Sequence, residues 1–140
     1  MSTNLRPFHL AFPVVDLAEA KKWYTEVLRC SVGRISKEWI DFNLFGHQIV
    51  AHLSDDDNQG NTSLVDGKDV PVRHFGVILT LLEWEELKDH LVKKDTDFLI
   101  NPCTRFIGSP GEQKTMFIQD PSGNAIEFKA FKSDNMIFQS

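Results

Sequence analysis

The sequence predicts an α+β fold in which two βαβββ modules pair with each other. Stretches in which apolar and other residues alternate begin near residues 7 and 73, and an amphipathic segment with helical spacing follows each of them. Three more strand-like stretches follow each of these segments. Because a repeat of this size cannot bury its own hydrophobic face, the two modules are expected to share a core.

The first module covers about residues 5–53. Residues 7–13 alternate as a strand, and Pro13 ends it. Asp16 and Glu19 then have the spacing of a capping box, and apolar residues from Leu17 to Leu28 follow at helical intervals. Strands are expected near 31–36, 39–45 and 47–53, with a tight connection at Gly46.

Residues 54–71 are predicted to form a polar linker between the modules, since Asp, Asn and Gly recur throughout the stretch. The whole chain of 140 residues is expected to be a single domain. Its parts are module 1, the linker, module 2 at about 72–132 and a C-terminal tail at 133–140.

The second module repeats this order. Residues 73–79 alternate as a strand, and Thr80 and Glu83 form another capping-box pattern. The helix that follows has an apolar stripe of Leu81, Trp84, Leu87 and Leu91. Strands are expected near 97–107, 113–119 and 124–130.

Composition argues against several classes of protein. The net charge of −5 argues against nucleic-acid binding. No stretch approaches the roughly 18 apolar residues of a membrane span, and the N-terminus lacks the apolar core of a signal peptide. Cys30 and Cys103 lie in different modules without CxxC spacing, which favours reduced thiols. We therefore expect a cytoplasmic protein that acts on a small molecule.

Four polar residues stand at related positions of the repeat. His9 and His74 each begin the first strand of a module. In the last hairpins, His52 follows Phe42 by ten residues and Glu127 follows Phe117 by ten residues, so a gapless alignment matches His52 with Glu127. Imidazole and carboxylate groups are ligands for divalent transition metals.

A lone strand histidine is more often structural than ligating, and Glu127 alone could pair with Lys129. The joint pattern favours metal ligation by His9, His74 and Glu127. His52 is either a fourth ligand or an acid/base that carries a proton.

The chain resembles the vicinal oxygen chelate superfamily, which includes glyoxalase I, fosfomycin-resistance transferases, methylmalonyl-CoA epimerase and extradiol dioxygenases. The resemblance rests on several matching stretches, namely the His9 strand, Val14-Val15-Asp16-Leu17, Trp23-Tyr24, His74, and Asp120-Pro121-Ser122-Gly123-Asn124-Ala125-Ile126-Glu127-Phe128. It implies a U-shaped, partly closed mixed-sheet barrel with the helices outside and a divalent metal within. It also implies that His9, His74 and Glu127 occupy the common ligand positions. His52 would stand where glyoxalase I-like members carry a fourth ligand.

The overall sequence looks most similar to small single-domain members that are labelled predicted dioxygenases. This implies a dioxygenase-like oxidoreductase whose substrate chelates the metal through vicinal oxygens. Fe²⁺ is favoured, and Mn²⁺, Ni²⁺, Co²⁺ or Zn²⁺ would suit the same ligands. The alternatives are a glyoxalase I-like lyase or epimerase, and a bleomycin-resistance-like protein that binds ligands without catalysis.

Three further residues are predicted to contact the substrate. Arg105 adjoins a polar hairpin loop and could hold an anionic group, although an exposed turn with ordinary surface charges would look the same. Phe42 and Phe117 could stack on a substrate ring, although buried strand aromatics mostly serve the core. The resemblance also implies a homodimer, with modules paired within one chain or exchanged between chains.

Overall fold

The protein is described by a computed structural model, which covers residues 4–55, 62–65 and 68–139. The chain divides into two compact units, unit 1 (Met1–Asn58) and unit 2 (Gln59–Ser140). Within the described residues, each unit contains one larger mixed sheet and one α-helix. The α+β class and the repeated βαβββ order are therefore confirmed.

Unit 1 follows the predicted order closely. Its elements are β1 (His9–Val14), α1 (Leu17–Glu26), β2 (Ser31–Ile35), β3 (Trp39–Leu44) and β4 (His47–Leu53). The sheet order is β1-β4-β3-β2, with β1 parallel to β4 and the other pairs antiparallel. The Asp16 carboxylate accepts from the Glu19 backbone N–H at 2.9 Å, which caps α1 as expected.

Helix α1 covers one face of this sheet. Tyr24 is fully buried, and its ring lies 5.0 Å from that of Phe42 and 5.4 Å from that of Phe12. Because side chains alternate along a strand, His9 and Ala11 lie on the opposite face from Phe12. The helix thus takes the large apolar residues and leaves the histidine face uncovered by α1.

Unit 2 has the same order with an added hairpin. Its elements are β5 (Thr62–Val65), β6 (Lys68–Pro71), β7 (His74–Phe75), β8 (Ile78–Leu79), α2 (Leu81–Lys93), β9 (Phe98–Arg105), β10 (Gln113–Gln119), β11 (Ala125–Ala130) and a 3₁₀ turn (Asp134–Met136). The larger sheet runs β7-β11-β10-β9, and β8 also pairs with β11. Both halves of the Thr80–Glu83 capping box are present. Neither described helix is long and apolar enough to cross a membrane.

The predicted linker is wrong in part. Strands β5 and β6 form an antiparallel hairpin within it. Val70 is fully buried and packs with Ile100 and Phe117, because its apolar side chain gains a place in the core of unit 2. Residues 56–61 and 66–67 of the predicted linker lie outside the described residues.

The first strand of module 2 is interrupted, whereas the alternation predicts one strand over 73–79. Strand β7 ends at Phe75, and β8 begins at Ile78. Both pieces pair in parallel with β11, so the chain keeps its direction across Gly76 and Val77. The break begins at Gly76, whose backbone lies so close to β11 that an added Cβ would meet the Glu127 backbone.

Candidate metal centre

His74 and Glu127 lie together on the larger sheet of unit 2. His74 is paired with Ala125, and Glu127 lies two residues further along β11, so both side chains are on one face. His74 Nε2 is 3.5 Å from Glu127 Oε1. The imidazole is 32% exposed and the carboxylate 8% exposed. The pair is open to solvent mainly on its histidine side.

Gly76 permits this approach between the strands. A Cβ atom at position 76 would lie 1.5 Å from the backbone oxygen of Glu127. No side chain fits there without moving the backbone of β11. The glycine therefore fixes the distance between the two strands that carry His74 and Glu127.

The other polar atoms of the pair are already occupied. His74 Nδ1 is 3.1 Å from the carbonyl oxygen of Pro71. Because a carbonyl only accepts, Nδ1 is the donor, and the neutral form of the imidazole that is compatible with this contact has its lone pair on Nε2. Thr115 Oγ1 donates to Glu127 Oε2 at 2.5 Å. The imidazole Nε2 and the carboxylate Oε1 thus lie side by side at 3.5 Å, each on a group whose other polar atom has a partner, as is usual for metal ligands.

A pocket of about 210 Å³ adjoins this pair, lined by residues 74–78 with Glu127 and Lys129. Lys129 Nζ lies 4.0 Å from Glu127 Oε1. Phe117 is buried, and its ring centroid lies 5.0 Å from that of His74 in an edge-on contact. The pocket therefore presents one imidazole and one carboxylate, and the buried ring of Phe117, outside the lining, packs against the imidazole.

His9 lies on the face of unit 1 that α1 leaves uncovered. It pairs with Gln48 in the β1–β4 ladder, and its Nδ1 is 2.7 Å from Gln48 Oε1. His52 lies on the same face but four residues further along β4, paired with Pro13 and Trp39. Four strand residues span about 13 Å, so the two histidines stand near opposite ends of β4.

The gapless alignment of the two hairpins is wrong. Phe42 pairs with Ile49 and not with His52, whereas Phe117 does pair with Glu127. The cause is the length of the turns. Strands β3 and β4 are joined by two residues, both with positive φ, whereas β10 and β11 are joined by residues 120–124.

Val50, and not His52, stands where Glu127 stands in unit 2. Glu127 is two residues beyond the ladder partner of His74, and Val50 is two residues beyond Gln48, the ladder partner of His9. An aliphatic side chain at this position offers no ligand atom. The repeat therefore gives no symmetry argument for ligation by His52.

The structure brings together two of the four predicted ligands, His74 and Glu127. Among the described residues, no three His, Cys, Asp or Glu side chains converge as a metal site. His9 and His52 belong to unit 1, where Gln48 is the side chain bonded to His9. Gln48 and Thr115 were not predicted from the sequence, since only the strand registers reveal which residues adjoin the histidine and the carboxylate.

The predicted substrate contacts lie in three different settings. Phe42 is 1% exposed and stacks on Tyr24 on the helix side of its sheet, which favours the core role over substrate contact. Phe117 lies on the face of Glu127, beside His74. Arg105 ends β9 opposite Gln113, with its guanidinium 4.8 Å from the centre of the Phe106 ring.

Comparison with known proteins gives one family. The sequence profile of the Glyoxalase/Bleomycin resistance protein/Dioxygenase superfamily matches residues 6–128. No curated protein matches the chain. A solved structure of a glyoxalase/bleomycin resistance protein/dioxygenase from Alicyclobacillus acidocaldarius is 32% identical, with 99% of this chain and 100% of that chain covered and a TM-score of 0.84.

The fosfomycin resistance protein FosX from Listeria monocytogenes has the same fold. It is 16% identical, with 99% of this chain and 100% of that chain covered and a TM-score of 0.69. A mutant of FosX has been solved with Mn(II) and 1S,2S-dihydroxypropylphosphonic acid; it is 16% identical, covers 99% of this chain and 98% of that chain, and has a TM-score of 0.68.

Proposed function

Because this chain belongs to the Glyoxalase/Bleomycin resistance protein/Dioxygenase superfamily, we propose that it is a metal-dependent, dioxygenase-like oxidoreductase. His9, His74 and Glu127 would hold a divalent ion, with Fe²⁺ favoured, and a small substrate would chelate that ion through vicinal oxygens. The observation that carries the proposal is the His74–Glu127 pair. Its Nε2 and Oε1 atoms face each other at 3.5 Å while Nδ1 and Oε2 are occupied by other partners.

The residues fit a divalent ion chemically. His9 and His74 both have Nδ1 against an oxygen, so each imidazole in its neutral form presents an Nε2 lone pair. Imidazole with carboxylate suits Fe²⁺, Mn²⁺, Co²⁺, Ni²⁺ and Zn²⁺. The presence of Mn(II) in the FosX complex supports a divalent ion here as well.

The aliphatic residue at position 50 favours the dioxygenase over the lyase or epimerase. A glyoxalase I-like site would draw a fourth ligand from module 1. Val50 stands at the position that matches Glu127 and cannot provide one. The remaining set of two histidines and one carboxylate leaves coordination positions open, as in non-heme iron oxygenases.

The bound ion would supply Lewis acidity, which favours loss of a proton from a chelating hydroxyl group, and for Fe²⁺ a position at which O₂ can react. The protein's own residues would do the rest. Thr115 holds the carboxylate of Glu127 in one orientation, and Phe117 packs against the imidazole of His74. An imidazole nitrogen of His52 would accept the proton that the substrate loses. Arg105 would bind an anionic group of the substrate.

We further propose a homodimer, in which His9 joins His74 and Glu127 of the same chain or of the partner chain. Complementation separates the two arrangements. When His9→Ala and Glu127→Gln chains are co-expressed, a mixed dimer regains one intact metal site only if the modules are exchanged. Without exchange, every site in the mixed dimer lacks a ligand. Light scattering gives the mass of the assembly, and metal analysis counts the sites.

Oxygen uptake tests the proposed activity. The protein is reconstituted anaerobically with Fe²⁺ and then mixed with catechols and other vicinal diols in an oxygen electrode. We expect uptake that requires both iron and diol and that Glu127→Gln abolishes, while Glu112→Gln, a control in the surface loop, leaves it unchanged. Metal binding without oxygen uptake on any vicinal diol would contradict the dioxygenase and favour the lyase or epimerase. Absence of metal binding would favour the ligand-binding alternative.

A further inference from the structure

We propose that a chain of polar side chains, Arg34–Asp41–Gln48, fixes the tautomer of His9. Gln48 and Asp41 would be positioning residues that keep the proton on Nδ1 and the lone pair on Nε2. The inference deepens the proposed function, in which Nε2 of His9 binds the metal. The tautomer itself can be measured without metal, so the two can fail separately.

The chain begins at a bulge in strand β2. Val32 pairs with Phe42 and Ile35 with Ile40, so Gly33 and Arg34 together lie opposite Asp41. Two residues facing one is the arrangement of a β-bulge, which redirects a side chain. Arg34 Nε donates to Asp41 Oδ2 at 3.2 Å. A Cβ at position 33 would lie 3.2 Å from Asp41 Cβ, so glycine leaves room for the aspartate.

Asp41 then determines how the Gln48 amide is oriented. Its side chain is 9% exposed, and an ionised carboxylate only accepts hydrogen bonds. Gln48 Nε2 lies 3.5 Å from Asp41 Oδ2. The reverse orientation would place the amide oxygen against the carboxylate oxygen, which is repulsive. The amide therefore directs its NH₂ group to Asp41 and its oxygen away from Asp41.

The amide oxygen determines the state of His9. Gln48 Oε1 is 2.7 Å from His9 Nδ1, so Nδ1 must be the donor. A glutamine with no fixed neighbour could turn over and present its NH₂ group, in which case Nδ1 would accept and Nε2 would carry the proton. Asp41 thus controls which nitrogen of His9 is available, although it contacts His9 only through Gln48.

Nitrogen-15 NMR of the histidine rings tests this in the metal-free protein at about pH 8.5, where an ordinary imidazole is neutral. Wild-type His9 is expected to hold its proton on Nδ1. Asp41→Asn keeps the size of the side chain but adds a donor, so the Gln48 amide can turn over. We expect a substantial Nε2–H population of His9 in Asp41→Asn and in Gln48→Met, which has no amide.

The double variant Asp41→Asn/Gln48→Glu reverses the polarity of the link. Arg34 and Gln48 both contact Oδ2 of Asp41, so the amide introduced at position 41 would direct its NH₂ group to the carboxylate introduced at position 48, and the exposed Arg34 would turn to solvent. The other oxygen of that carboxylate would accept from His9 Nδ1. We expect this variant to restore the Nδ1–H form. His74 is the internal control, because its Nδ1 faces a backbone carbonyl that none of these substitutions removes.

Titration of each variant with Mn²⁺ separates this inference from the proposed function. We expect Asp41→Asn and Gln48→Met to lower the affinity about 10–100-fold, the usual effect of losing a partner of a metal ligand. If wild-type His9 holds its proton on Nε2, or if neither single variant changes the tautomer, the inference is overturned even if metal binds. If the tautomer responds as expected but no metal binds, the proposed function fails and the inference stands.

Discussion

The two modules hold their histidines by different means. His74 is oriented by a backbone carbonyl, that of Pro71, and Gly76 fixes the spacing of its strand from β11. His9 is oriented by the side chain of Gln48, which in turn contacts Asp41. Backbone groups belong to every sequence that adopts the fold, whereas side-chain partners depend on the residues present. Substitutions should therefore change the orientation and tautomer of His9 more easily than those of His74.

The modules also differ at the neighbouring strand position. Unit 2 places Glu127 there and unit 1 places Val50. Glu127 is a buried carboxylate with a hydroxyl donor on one oxygen and an imidazole facing the other. The two units thus share the same strand arrangement but differ at this position, where only unit 2 has a carboxylate.

Gly76→Ala should have the largest effect, since an added Cβ at this position of module 2 has no room. Module 1 carries Ala11 two residues after its histidine, whereas module 2 carries Gly76. The added methyl group would meet the Glu127 backbone at 1.5 Å. We expect the free energy of unfolding to fall by about 1–3 kcal/mol, with loss of metal binding.

Thermal unfolding and Mn²⁺ titration measure the two consequences of Gly76→Ala. Gly111→Ala is the matched control, because a Cβ there would meet only Phe106 at 3.9 Å. Equal stability of the two variants would show that β7 and β11 can separate without cost, contrary to the role given to Gly76.

Thr115→Val should have the next largest effect. The substitution keeps the shape of the side chain but removes the hydroxyl that donates to Glu127 Oε2. We expect Mn²⁺ to bind about 10–100-fold more weakly, because the carboxylate loses its orienting partner. Isothermal titration calorimetry checks this. Thr104→Val, at an exposed position of the neighbouring strand, should bind like the wild type, and a similar loss in both variants would rule out a specific role for Thr115.

The smallest predicted effect is a difference in alkylation rate between the thiols of the two units, Cys30 and Cys103. Burial raises the pKa of Cys30 in unit 1 to about 12, whereas Cys103 in unit 2 is half-buried. At pH 8 the thiolate fraction of Cys30 is about 10⁻⁴, and the thiolate is the reactive form. Mass spectrometry after brief alkylation should find Cys103 labelled first and Cys30 labelled only on unfolding. Equal labelling of the folded protein would contradict this burial of Cys30.

The element order could be predicted from sequence because alternation, helical spacing and caps are local signals. Strand β4 was predicted at 47–53, where it lies at His47–Leu53. The strand registers could not be predicted, since a spacing of ten residues fits two hairpins whose turns differ in length. The tight turn at Phe45 and Gly46 shortens the first hairpin, and this is why a gapless alignment of His52 with Glu127 fails. The pairing of His9 with Gln48 depends on parallel register, which no local pattern records.

The number of divalent ions bound per chain tests the central claim most directly. Equilibrium dialysis against Mn²⁺ should give one ion per chain for the wild type, and His9→Ala, His74→Ala and Glu127→Gln should each remove it. His47→Ala serves as the control, because the Nδ1 atom of His47 accepts from the backbone N–H of Phe8 and is given no part in the metal site. One tightly bound ion that is retained in the three ligand variants, or no ion bound to the wild type, would contradict the account.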